Sequence, residues 1–128
     1  NKRISLLVIA LIFSIKAFSQ CEIIYVTTNG LPTGIGSQND PMDLTTAFTT
    51  APNGSYIRVA AGTYTIQSAL TLNGQHVVVE GGFVDTLAWT KTSLAGATTI
   101  FRSNLNPAGP ANALRPQVNV NAPNARFE

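Results

Sequence analysis

Gly54–Tyr64 reads GSYIRVAAGTY. Ile57 and Val59 alternate with Arg58, the period-2 pattern of a strand with one buried face. The small residues Ala60, Ala61 and Gly62 then turn the chain, and Thr63–Ile66, TYTI, begins another strand. The unit returns in His76–Phe83, HVVVEGGF, and again in Thr98–Ser103, TTIFRS. Ala69–Leu72, ALTL, adds one more. These segments are short and mostly β-branched, which suits a pleated surface. Val59 and Val78 are 19 residues apart, and Val78 and Ile100 are 22 apart. A period in that range marks a solenoid, in which each strand stacks on its counterpart one turn later. The expected inward ladder is Val59, Val78 and Ile100, with Tyr64 or Ile66 starting another. Each buried Val or Ile contributes roughly 1.5–3 kcal/mol. The competing topology is a meander or small β-sandwich, for which Asn73-Gly74 supplies a hairpin turn.

Upstream, Glu22–Gly30, EIIYVTTNG, reads as a strand with Ile24 and Val26 on one side and Ile23 and Tyr25 on the other. That pattern suits a strand covered on both faces. Leu31–Pro41 is a Gly- and Pro-bearing loop. Met42–Gly54 holds the helix candidate outside the leader. Asp43 is its N-cap, Leu44, Ala47, Phe48 and Ala51 form one apolar face, and Pro52 and Gly54 stop it. Its threonines lower helix propensity, so packing must hold it. The first coil of a solenoid has an open edge that needs cover, and this helix stands where such a cap belongs.

Residues 1–19 have the layout of a secretory signal peptide: Lys2 and Arg3, the apolar run Ile4–Ile15, then Ala17 and Ser19 before a cut at Gln20. Removing them removes Lys2, Arg3 and Lys16 from the 8 basic residues, leaving 5 against 6 acidic ones. The exported chain is near neutral, and the basic balance that invites a nucleic-acid reading disappears. Cys21, the single cysteine, has no internal disulfide partner. It is a free or intermolecularly paired thiol, and membrane attachment follows only if it carries lipid. The chain opens on Asn rather than Met and stops at NARFE, so it reads as a fragment of a longer product. The organisation is a signal peptide (1–19), a strand and loop (20–41), and a capping helix with the first coils (42–128).

The stretch DPMDLTTAFTTAPNGSYIRVAAGTYTIQSALTLNGQHVVVEGGF, with Trp89 and Thr99-Ile100 beyond it, resembles the start of secreted bacterial right-handed parallel β-helix proteins, the pectin-lyase-like superfamily. The resemblance covers roughly Ile23–Phe101 and implies fold and export. It implies less about activity, since one fold hosts many functions. The acidic residue often found before the I-x-V strand in that family is Ser55 here.

Polysaccharide lyases of that superfamily need a base and calcium-holding acids converging on neighbouring coils. Asp40 and Asp43 are three apart, but Asp43 is already explained as a cap. His76 has no evident partner, and no paired Asp for glycoside hydrolysis follows Asp43. No catalytic, cofactor or metal residues are assigned, and no cofactor is called for. Three ligand-contact candidates stand out: Trp89 in a polar loop, and Arg58 and Arg102 as outward positive charges for acidic sugars. The sequence therefore points to the cap and first coils of an all-β, right-handed parallel β-helix protein at the cell surface or outside the cell. It would be adhesin-like or glycan-binding, with a polysaccharide or cell-surface glycan and the rest of its own chain as partners. The alternative is the N-terminal part of a polysaccharide lyase or glycoside hydrolase whose active site lies in later coils.

Overall fold

The structure, a computed structural model, describes residues 21–74, 76–86, 88–103, 118–121 and 125–128. Residues 1–19, read from sequence as a signal peptide, and the Asn- and Pro-rich stretch 104–117, read as an extended loop, lie outside the described residues. Among the described residues the chain is all-β with one short helix: β1 (Ile23–Leu31), α1 (Leu44–Thr50), β2 (Tyr56–Ala60), β3 (Gly62–Ile66), β4 (Leu70–Asn73), β5 (Val78–Phe83), β6 (Thr98–Arg102), β7 (Val118–Asn121) and β8 (Arg126–Phe127).

Every pairing between these strands is parallel. Sheet A has the order β1-β2-β5-β8, sheet B pairs β3 with β6, and sheet C pairs β4 with β7. From β2 onward the chain visits A, B, C, then A, B, C, then A again. No hairpin forms at Asn73-Gly74: β4 pairs with β7, Leu72 opposite Val120, while β5 joins β2. The meander alternative fails on that pairing.

Burial follows the alternation of each strand. In sheet A, Ile24, Ile57, Val79 and Phe127 stand in one register row, and the first three are buried. Val26 and Val59 form the next inward row. The expected Val59–Val78–Ile100 ladder is corrected here. Val78 lies opposite Tyr56 and Arg126, half-buried on the other face, and Val77 and Val79 are the inward valines. Ile100 lies in sheet B, opposite Tyr64.

One end of this core is closed. Asp43 Oδ1 accepts hydrogen bonds from the Thr45 and Thr46 amides at 3.0 and 3.1 Å, satisfying two of the first-turn donors. Leu44, Ala47 and Phe48 are buried, and α1 packs on β1 and β4. The free edge of β1 is occupied too. Its Tyr25 amide donates to the Gly36 carbonyl at 2.8 Å, and Met42 bridges to Val26. An edge so paired cannot template a foreign strand.

Tyr64 ties the first sheets together. Its buried hydroxyl donates to the Ala60 carbonyl at 2.9 Å, with the Val26 carbonyl at 3.4 Å. Burial pushes its phenol well above the ordinary tyrosine value, and the Asp85 carboxylate adds to the shift. We expect Tyr64→Phe to cost about 1 kcal/mol in chemical denaturation, the net worth of one hydrogen bond. The sign with pH follows from linkage. Above about pH 10 the unfolded phenol ionises while the folded one keeps its proton, so stability falls with rising pH. That loss should be smaller in Tyr64→Phe, as thermal melts on both sides of that pH will record.

Candidate functional site

The outer face of sheet A gathers the side chains that the core does not use. Tyr25, Arg58 and Glu80 form one row across three strands, and Ile23, Tyr56, Val78 and Arg126 form the next. Between Arg58–Glu80 and Ala60–Phe83 the register slips, so Gly81 and Gly82 share the place opposite Val59. Gly82 sits at φ +82°, where a side chain is strained, and the bulge depends on it. The extra residue sends Phe83 outward beside Ala60, where unbroken alternation would have turned it into the core. A Gly-Gly pair inside a strand pattern is the sequence sign of this device.

Beyond Phe83 the chain leaves the sheet and folds back. The Val84 amide donates to Thr90, and Thr92 to Gly82, at 2.9 and 2.7 Å. This return lays Trp89 on Tyr25, ring centroids 4.6 Å apart and 60° between planes, an edge-to-face contact. Gln38 Nε2 donates to the Tyr25 hydroxyl from the other side at 3.0 Å. Trp89 is held at φ +43°, unusual for a bulky residue, and that strain is borne by its burial. Glu80 and Lys91 form an ion pair at the rim, as do Arg126 and Glu128.

The three residues singled out from sequence therefore stand in different places. Trp89 is 4% exposed and packed against Tyr25, Ala60 and Phe83, so its ring is not presented for stacking on a sugar. Arg58 points outward as expected, but its guanidinium lies over the Phe83 ring at 5.2 Å and its Nε is buried. Arg102 is corrected. It stands opposite the buried Ile66 in sheet B, on the inward-facing register, and does not share a patch with Arg58. The most open aromatic on this face is Tyr56, at 42%.

Asp40 and His76 are engaged locally. Asp40 Oδ2 accepts from the Ile35 amide and closes its own loop. His76 is exposed, and its amide donates to Asn53 Oδ1. Among the described residues no three of His, Cys, Asp and Glu come together. A second feature escaped the sequence reading. Thr27, Thr28, Thr63, Thr65 and Asp43 line a polar cleft of about 140 Å³ beside α1. Asp43 Oδ2 is buried without a partner among the described residues. The signal was the alternate threonines of Thr63–Thr65, which a strand puts on one face.

Comparison with known proteins yields no match: no family model, no curated protein and no solved structure resembles this chain at a significant level.

Proposed function

We propose that this chain is the capping end and first coils of an exported, surface-displayed right-handed parallel β-helix protein, adhesin-like or glycan-binding. The observation that carries the reading is the cyclic order of three parallel sheets around one core, A-B-C-A-B-C-A. Right-handed winding is the rule for parallel crossovers, and a period of strands returning to the same sheet is the logic of a solenoid. The two ends of the stack differ in a way that fits a cap. On the α1 side the core is covered. On the other side Phe127 is 42% exposed and Ile100 half-exposed, and they border a cleft of about 210 Å³ with Val59 and Val79. An apolar row that ends uncovered fits a further coil stacked upon it. The leader pattern over residues 1–19 supports export.

Deleting residues 42–52 from the full-length protein tests the reading. Loss of α1 would uncover the buried rows of β1 and β4 on which it packs, Ile24 and Leu72 among them, so the protein should sediment as aggregate and vanish from surface biotinylation. A soluble, surface-labelled deletion variant would refute the capping role.

A further inference from the structure

Asp40-Pro41 is the only Asp-Pro bond in the sequence. It lies in the loop that covers the edge of β1 and leads into α1. Such a pair has a chemistry of its own. A carboxylate oxygen of aspartate can reach its own main-chain carbonyl carbon and close a five-membered ring. Proline makes the next nitrogen a tertiary amide with no N–H. That nitrogen departs as a basic secondary amine once it takes a proton.

The fold aims two consecutive amides at Asp40. The Ile35 amide donates to Asp40 Oδ2 at 3.2 Å, and the Gly36 amide donates to the Asp40 carbonyl oxygen at 3.0 Å. Asp40's own amide donates to Ser37 Oγ at 3.1 Å. Gly36 sits at φ +75°, which glycine alone takes without strain. This cradle is fixed to sheet A, because the Gly36 carbonyl accepts from the Tyr25 amide at 2.8 Å. Asp40 itself is exposed, so water and protons reach it. The Gly36 amide thus stands where negative charge develops when the Asp40 carbonyl carbon is attacked. A donor already in place at a developing oxyanion lowers the barrier.

We infer that the Asp40–Pro41 bond is a self-cleavage site. With Oδ2 held by Ile35, Oδ1 attacks the carbonyl carbon, and the oxyanion accepts from the Gly36 amide. The C–N bond to Pro41 then breaks as its nitrogen takes a proton from solvent. Water opens the cyclic anhydride, leaving Asp40 as a new C-terminus and Pro41 as a new N-terminus. One water is consumed, and no oxidant or cofactor takes part. The cut divides Cys21 and β1 from α1 and the coils. It leaves β1 in its ladder, since Ile23–Val26 stays in register with Tyr56–Val59 and Ile24 and Val26 are buried. The product is a two-chain protein with its sheets intact.

The test is incubation of the full-length protein in mildly acidic buffer in which circular dichroism shows the fold intact, followed by denaturing gels and intact-mass spectrometry. Products ending at Asp40 and beginning at Pro41 should form about tenfold faster than in the same buffer with urea, roughly the worth of one hydrogen bond to a developing charge. The two pieces should co-elute in gel filtration without denaturant. Asp40→Asn keeps an acceptor for the Ile35 amide but loses the nucleophile, and it should stay whole. No cut in the folded chain, a rate that urea leaves unchanged or raises, or the same cut in Asp40→Asn would each overturn the assignment. Pieces that part without denaturant would overturn the two-chain product.

Discussion

Ile57→Asp leaves no soluble, cooperatively melting protein. Ile57 is wholly buried, with Ile24 and Val79 beside it in the same row of sheet A. A carboxylate there has no cationic partner on that row and loses its water. The effective cost of burying such an ion is several kcal/mol, against a total stability of about 5–15 kcal/mol for a domain. The informative control is Val78→Asp. Sequence reading alone makes Val78 an inward residue and the substitution lethal, whereas its half-buried outward position opposite Arg126 lets an aspartate reach solvent. We expect Val78→Asp to fold with a loss of about 1 kcal/mol, the centre of the range for point substitutions. Circular dichroism and thermal melts separate the two variants. A folded Ile57→Asp beside an unfolded Val78→Asp would invert the assignment of faces.

Phe48→Ala should remove about 3–5 kcal/mol, the usual range for deleting a buried aromatic ring. Phe48 is 1% exposed on a helix of 7 residues. So short a helix has almost no stability of its own, because nucleation is costly and few bonds follow. Its apolar face is what holds it, and its ring reaches within 6.1 Å of the Phe127 ring centroid. Losing the ring should therefore also release α1, seen as early hydrogen exchange at the Ala47 and Ala51 amides, which bond to Asp43 and Ala47. A shift of the urea midpoint worth less than about 1 kcal/mol would show that the helix lies outside the cooperative core.

Much of the architecture was legible because it rests on local chemistry. Asp43, Leu44 and Phe48 announced the helix, its cap and its buried face, and the alternation in Ile23–Val26 announced β1. The register was harder. Val78 was placed inside by its 19-residue spacing from Val59, and in the unbroken run Val77–Val79 no polar residue marks which valines face out. Ile100 was matched by spacing to Val78, although Val84–Ala97 separates β5 from β6 and puts Ile100 in a different sheet. Trp89 was misplaced for a related reason. Polar neighbours suggested an open loop, and nothing in the sequence says that the loop turns back onto Tyr25. The glycine pair before Phe83 held that information only for a reader already expecting a bulge.

The return distances between paired strands are unequal. Ile57 meets its partner Val79 after 22 residues, Tyr64 meets Ile100 after 36, and Leu72 meets Val120 after 48. The ladders register strands alone and are indifferent to the detours between them. Closing a flexible loop of twice the length costs only about 0.6 kcal/mol. New segments can thus be let in between β5 and β6 at small thermodynamic expense, and their length can change while the paired strands behind them keep their register.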